Sequence, residues 1–563
     1  MTLTRRTVLG SAIGFALDSA LAASPANFLQ NQVLEKNDAP PPLSAASRSA
    51  EFLAKAAADI PPLVTTIVAN PRTVRPVRDD GAFLRWRIES APDAEAIERN
   101  IYKSGGTVLL DFGRHLTGFL SLDVEGIGIN IDSPARIRFT FGEVPGDVAE
   151  GFYPFKGTLA EAWLPDEVFN LDPLPCSFRV PRRHAFRYLR IDVLSTSPKF
   201  SVKFSNIRAH AVSSAQAQDL PLPAGVSPET RQIDRVAVTT LRDCMQTVFE
   251  DGPRRDQRLW IGDLRLQALA SYAAFPNHQL VRRCLYLLAA YPQDNGMLTA
   301  CVFEKPVPRR AGDVILDYAC IYAVLLREYL DQSGDLAACR DLWPSILRQM
   351  ELASAYVNSD GLFVDPKSLW IFIDWNDALH RDAAMQGVII FALRNAHVLA
   401  RRLGDTASAR RFADLAEKMS EAARRSFLDP TAGLFVSGPN RQVSWASQAW
   451  LTLAGALPAD ECVTLLKRAV TSSTILAPST PYLYHYVVEA LVTHGLNREA
   501  EAVIASYWGQ MVRRGADTFW EVYDPANSLT SPYGDVHLNS FCHAWGCTPA
   551  YFFRKFNLGT SSA

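Results

Sequence analysis

The sequence predicts a multidomain protein in which an N-terminal β-sandwich is followed by an all-α (α/α)6 barrel. Three observations carry this. Short β-branched and aromatic runs, separated by Gly, Pro, Asp and Asn, fill the chain from Leu63 to about Val212. From Gln232 to Phe556 apolar residues recur at helical spacing instead. The breaks between those helical segments alternate, one tight and the next long. At 563 residues the chain exceeds one ordinary core, and about two to four domains are expected.

In chain order, residues 1–23 place Arg5-Arg6 ahead of a modestly apolar run that ends in Ala20-Leu21-Ala22-Ala23. A basic start, an apolar stretch and small residues make an export signal, and the paired arginines point to the bacterial twin-arginine route. The expected location is periplasmic or secreted. No membrane contact beyond that signal is expected, because no later run approaches the ~20 apolar residues of a span. Residues 24–60 are rich in Ala, Pro and Ser and read as a linker ending in a short helix.

Residues 61–213 form the expected sandwich, with strand-like runs at Thr107–Phe112, Gly118–Val124, Ala135–Phe141 and Phe186–Val193. Ile137, Phe139 and Phe141 alternate with Arg136, Arg138 and Thr140, the pattern of a half-buried strand. Residues 214–230, with Pro221, Pro223 and Pro228, are a second linker. Residues 231–557 divide into twelve amphipathic segments starting near 230, 263, 277, 313, 335, 382, 405, 443, 458, 481, 497 and 539. Tight breaks such as Arg402–Asp405 and His494–Asn497 alternate with long ones holding Gly, Pro, Trp and acids. In up-and-down hairpins every long break then lies at one end, and six hairpins close most economically into a double ring. Residues 558–563 are a tail.

Lys plus Arg number 57 against 59 Asp plus Glu, so no charge excess favours nucleic acid. The nine cysteines match no zinc spacing and sit mostly in apolar helical surroundings. Free buried thiols are expected, with no metal and no cofactor.

The densest chemistry lies in Asp251–Asp263, where carboxylates, arginines and Trp260 fall among Gly252, Pro253 and Gly262. Ring closure brings this loop to the loop from Gly515 to Leu538, which holds Trp520 and Glu521. Other rim loops add Trp370, Asp374, Trp375, Asn376, Asp377, Trp445, Tyr482, Tyr484, His485, His537 and His543. Opposed carboxyl groups among aromatic rings suit glycoside hydrolysis, in which one acid protonates the leaving oxygen and the other activates water or attacks the anomeric carbon. Asp251, Asp256 and Asp263 are the loop's three candidates for the opposing carboxyl group.

Asp251-Gly-Pro-x-Arg255-Asp256-x-x-x-Trp260-x-Gly262-Asp263 resembles the signature of the bacterial α-L-rhamnosidases of glycoside hydrolase family 78. Thr518–Glu521, Leu538–Gly546, Leu110–Gly118 and Phe186–Arg190 resemble further elements of that family. The likeness covers residues 60 to 556 approximately. It implies an inverting enzyme that removes terminal α-L-rhamnose, with Asp256 where the general acid stands and Glu521 where the general base stands. It also implies a sugar subsite shaped by Asp251, Arg255, Trp260 and Asp263. Asp374, Trp375, Trp445, Trp520 and His543 complete the expected substrate-binding set, and the expected partner is a carbohydrate. The chain departs from the family pattern at Asp256, usually Glu, at Gly252, usually Cys, and at Leu259, usually Gly. Those changes leave two rival readings, the same barrel acting on another sugar or a carbohydrate-binding relative without catalysis.

Overall fold

The computed structural model describes residues 45–91, 97–215 and 219–560; the expected export signal lies outside them. A β-rich N-terminal domain precedes a helical domain. Helix α1 (Ala45–Ala58) comes first, where the sequence reading ends the linker in a short helix. It packs on the helical domain. Phe52 meets the Tyr286 ring at 5.4 Å, Lys55 pairs with Asp341 at 2.5 Å, and Arg283 donates to the Ala56 carbonyl. Phe52 and Ala56 are an apolar pair one helical turn apart, and burying them offsets the cost of ordering the segment.

Nine strands follow: β1 (Val64–Ala69), β2 (Arg72–Arg78), β3 (Trp86–Ser90), β4 (Thr107–Gly128), β5 (Ala135–Gly142), β6 (Asp166–Leu171), β7 (Cys176–Arg179), β8 (His184–Ser195) and β9 (Phe200–Ser213). They form one antiparallel sheet with the path β1-β9-β4-β8-β5-β6, and β2 and β7 also pair with β4. The two runs expected as separate strands at Thr107–Phe112 and Gly118–Val124 are both part of β4, joined across a register shift between Asp111 and Leu116. A shift of that kind bends a strand without ending it. Early β4 pairs with β2 and β8 and later β4 with β7 and β9. Ile137, Phe139, Phe141, Phe186, Leu189 and Phe204 lie fully inside. Helix α2 (Pro145–Ala149) follows β5.

The helical domain contains twelve helices among the described residues: α3 (Pro228–Cys244), α4 (Ile261–Ala274), α5 (His278–Ala290), α6 (Leu316–Ser333), α7 (Leu336–Ser354), α8 (Asp382–Leu403), α9 (Thr406–Phe427), α10 (Trp445–Leu453), α11 (Ala459–Thr471), α12 (Pro481–Thr493), α13 (Asn497–Arg513) and α14 (Pro549–Lys555). Packing runs α4–α6–α8–α10–α12, with α12 and α14 both touching α4. These are the apolar helices; α9 and α11 put charge on one face and lie outside them. Helix α8 is long and apolar enough to pass for a membrane span, contrary to the sequence expectation, but that stretch is 78% buried inside the fold, as in a core helix.

The last helix starts at Pro549, not near residue 539. Four N–H groups in this stretch are spent elsewhere: Ser540 donates to Glu521, Phe541 to Glu143, His543 to the Phe519 carbonyl and Ala544 to the Asp251 carbonyl. Those bonds replace the i→i−4 ladder a helix would need. All nine cysteines are free, with the Cys244 and Cys542 sulfurs 3.8 Å apart.

Candidate active site

The Asp251–Asp263 loop joins α3 to α4, and the Arg514–Thr548 segment joins α13 to α14. The two are stitched together by backbone. Ala544 donates to the Asp251 carbonyl at 2.7 Å, and Gly252 lies so close to Ser540 that an added Cβ would sit 2.6 Å from its hydroxyl. At the far end of the loop a Cβ on Gly262 would meet the Tyr318 ring at 2.3 Å. Gly262 is therefore a packing requirement, whereas a side chain at Gly252 would need only the Ser540 hydroxyl to turn aside.

Glu521 is 2% exposed. One oxygen accepts from the Tyr533 hydroxyl, and the other from the Ser540 N–H at 3.1 Å and from Arg255 at 3.4 Å. Its backbone is held by the Ser540 carbonyl and the Trp545 indole. Arg255 also reaches Asp256 at 2.9 Å, donates to the Leu538 carbonyl at 3.0 Å and lies 4.4 Å above the Tyr533 ring. One guanidinium thus touches both proposed partners. Asp256 keeps 12% of its side chain exposed and has Arg258 at 3.8 Å as its other cation. The residue after it, Gln257, adopts a positive φ of 53°, a conformation that costs a non-glycine residue roughly 1–2 kcal/mol. Its amide groups bind Gly252 and Pro253 carbonyls and hold it there.

Behind this pair lies a buried acidic floor. Asp251 accepts from the Arg258 N–H at 3.0 Å, and its carboxyl is pushed well above the usual range by burial and then by Asp256 and Asp263. Asp263 meets His543 Nε2 at 3.1 Å, and burial raises its carboxyl despite that contact. His543 is carried up to about 9: burial opposes its charge, but the Asp263 bond and the Glu521 charge outweigh it. His543 Nδ1 and the indole nitrogens of Trp260, Trp375 and Trp445 are buried and make no hydrogen bond to any described residue. Each such donor costs about 1–3 kcal/mol unless hydroxyl groups satisfy it.

The other expected site residues divide. Trp375 lines a cleft of about 540 Å³ with Asp377, Tyr484, Tyr523 and Asp524, and meets Tyr533 edge-on at 6.1 Å. Trp445 is half-buried against Tyr484 at 6.0 Å. Asp374 is buried, and its two oxygens accept from Thr480 Oγ1 at 2.6 Å and the Ser479 N–H at 2.7 Å. It clamps the start of α12, and burial carries its carboxyl to about 6. Trp520 also turns away from the site, stacking on Phe83 of the β domain at 3.7 Å and 18°. Tyr482 and His485 are fully buried in α12.

Sequence reasoning missed Tyr533, which binds Glu521, and the share taken by the β domain. Thr158 donates to the Tyr533 carbonyl at 2.8 Å, and Arg254 is buried against Asp147 of α2 at 2.6 Å. Tyr533 lies in a turn, where no periodicity marks it; Pro532 and Gly534 on either side are the local signals. One group of side chains, His115, Asp243 and Cys542, brings metal-ligating atoms within 4.8 Å of one another. His115 Nδ1 lies 2.6 Å from Asp243 and Nε2 3.0 Å from Glu143, hydrogen-bond distances to a carboxylate on each side. Burial opposes its charge, but Cys542, Asp243 and Glu143 hold the ring well above its usual value. His115 thus ties β4 to α3 through Asp243.

The model for the glycosyl hydrolase family 78 α-rhamnosidase N-terminal domain matches residues 71–211, and that for the bacterial α-L-rhamnosidase six-hairpin glycosidase domain matches residues 227–556. Among solved structures, a rhamnosidase from Klebsiella oxytoca with rhamnose bound is 41% identical, covering 90% of this chain and 99% of its own, with a TM-score of 0.88. A family 78 rhamnosidase of Bacillus sp. GL1 is 21% identical with a TM-score of 0.69, covering 83% of this chain but 49% of its own. The Streptomyces avermitilis α-L-rhamnosidase complexed with L-rhamnose is 16% identical with a TM-score of 0.62, covering 88% of this chain and 44% of its own. These last two bear on the fold alone. No curated protein matches the chain.

Proposed function

The chain belongs to the α-L-rhamnosidases of glycoside hydrolase family 78, and from that premise we propose an inverting exo-hydrolase that removes terminal α-L-rhamnose with Asp256 as general acid and Glu521 as general base. It is a glycoside hydrolase acting on α-L-rhamnosides. Asp256 gives its proton to the glycosidic oxygen, while Glu521 takes one from the water that attacks the anomeric carbon from the opposite face. Each group contributes roughly 10²–10⁴-fold in rate. The observation that carries the pairing is Arg255, which contacts Asp256 at 2.9 Å and Glu521 at 3.4 Å. A guanidinium touching both carboxylates cannot hold them beyond the upper end of the roughly 6.5–9.5 Å spacing of inverting pairs. Asp251, Asp263 and His543 supply hydrogen-bonding groups beneath the reacting ring, and Trp260, Trp375 and Trp445 supply apolar faces and indole donors.

The same reading takes the helical domain as an (α/α)6 barrel behind a β-sandwich, supported by the contacts of α4 with α6, α12 and α14. Export by the twin-arginine route rests on Arg5-Arg6 and is tested by fractionating cells that express the full chain. Proton NMR of aryl α-L-rhamnoside hydrolysis tests the mechanism. β-L-Rhamnose as the first product is the expected result, and α-L-rhamnose first would overturn inversion.

A further inference from the structure

Two cysteine sulfurs meet behind the Asp251–Asp263 loop. Cys244 ends α3, and Cys542 lies 298 positions later in the segment that carries the Glu521 contacts, yet their Sγ atoms are 3.8 Å apart. No other cysteine pair among the described residues makes such a contact. With Ala544 the two form a small buried cluster at the seam between the loops. Cys244 Sγ also lies 3.9 Å from the Asp251 carbonyl, the oxygen that accepts the Ala544 N–H.

The two thiols are not equivalent. Burial opposes the charge of Cys542, but the Cys244 contact and His115 outweigh it and hold that thiol below its ordinary value. At Cys244 burial, and then Cys542, push the thiol well above it. One sulfur is thus suited to attack as a thiolate and the other to follow as a thiol, the division a disulfide-forming pair needs.

From this contact we propose that Cys244 and Cys542 are an oxidation site, closed to a disulfide by hydrogen peroxide. The Cys542 sulfur attacks one peroxide oxygen, the O–O bond breaks and hydroxide leaves, which makes Cys542 a sulfenic acid. The Cys244 sulfur then attacks the Cys542 sulfur and expels the sulfenic oxygen. The two thiol protons convert both departing oxygens to water, so two sulfurs are oxidised and one peroxide is reduced. Both side chains are fully buried, which admits an oxidant about the size of water and excludes larger disulfide reagents. Closure draws the sulfurs from 3.8 Å to roughly 2.05 Å. Cys542 lies between Phe541, whose N–H binds Glu143, and His543, which meets Asp263. The movement therefore reaches the catalytic segment, where a misplacement of about 1 Å costs on the order of 10²-fold in rate.

The test treats the folded full-length protein with hydrogen peroxide, digests it without reduction and maps linked peptides by mass spectrometry. Hydrolysis of an aryl α-L-rhamnoside is followed alongside. The expected result is a Cys244–Cys542 link and a fall in kcat of about ten- to hundred-fold that dithiothreitol reverses. Oxidised glutathione should form no link in the folded protein. Cys244→Ala should keep its activity, lose the link and leave Cys542 as a sulfenic acid that dimedone labels, with Cys244→Ser as the second variant should the first fail to fold. If exposure alone governed reactivity, Cys176, the one cysteine that is not buried, would be oxidised while Cys244 and Cys542 stayed as thiols, and the proposal would be overturned. A link with kcat unchanged would overturn its coupling to catalysis. The linked peptide is read without substrate, so it stands or falls apart from the proposed activity.

Discussion

Glu521 and Asp256 share one arginine and differ in almost everything else. Glu521 is buried, and its carboxylate is fixed by a tyrosine hydroxyl, a backbone N–H and Arg255, with its own backbone anchored at both ends. Asp256 sits at the rim, partly exposed, with arginines as its side-chain partners and the strained Gln257 next to it. In the roles proposed for them, Glu521 as a base that aims a water at one carbon gains from rigidity, and Asp256 as an acid that meets leaving groups of differing shape gains from an open side, for which one methylene less than Glu leaves room.

Leaving-group dependence sharpens that contrast most. Asp256→Asn and Glu521→Gln are each expected to lose about 10²–10⁴-fold in kcat on an unactivated rhamnoside. With a dinitrophenyl leaving group, which departs without a proton, Asp256→Asn should recover most of its rate and Glu521→Gln should not. Recovery in the Glu521 variant alone would exchange the two roles. Next in size is Tyr533→Phe, which removes a hydrogen bond from the rigid half only. A drop of about 10–10²-fold in kcat with KM little changed is expected, and a change confined to KM would move Tyr533 to substrate binding.

The two halves were also unequally legible. Asp251–Asp263 is contiguous, so its glycines, arginines and carboxylates could be weighed together as one loop. The Glu521 half is assembled from Tyr533, Ser540 and Trp545, and from β-domain residues hundreds of positions away such as Phe83 and Thr158. No local pattern links those. Helix order and the alternation of tight and long connections were readable because hydrophobic periodicity is local. The start of α14 was not, since the residues before it spend their N–H groups on the catalytic loops. Asp374 and Trp520 have the composition of sugar-binding residues, and packing assigns them to clamping α12 and to the domain interface.

The acidic floor shared by both halves has its own signature in pH. His543 is carried to about 9 by Asp263 and Glu521 against the effect of burial, above the roughly 6.5 of an ordinary histidine. The folded state therefore holds the proton more tightly than the unfolded chain. Stability from this group is fully present below about pH 6.5 and lost as pH rises through about 9. Thermal unfolding midpoints should fall across that window in the parent protein and fall less steeply in His543→Gln. Equal slopes would exclude His543 as the group responsible.

The smallest expected effect falls on Trp520, and it tests whether the rigid half depends on the β domain. The indole stacks on Phe83 at 3.7 Å and meets Tyr523 at 5.4 Å, with Glu521 next in sequence. An aromatic pair of this kind is worth about 0.5–1.5 kcal/mol beyond the area it buries. Trp520→Phe keeps a ring there and should lower the unfolding free energy by no more than about that amount, leaving KM for an aryl rhamnoside within about two-fold of the parent, since the side chain faces the other domain. Trp520→Ala should cost more stability and lower kcat as well, because the Phe83 contact backs the segment that aims Glu521. A rise in KM in Trp520→Phe at constant kcat would mean that the indole meets sugar, and the β domain would then be a neighbour of the base and not its support.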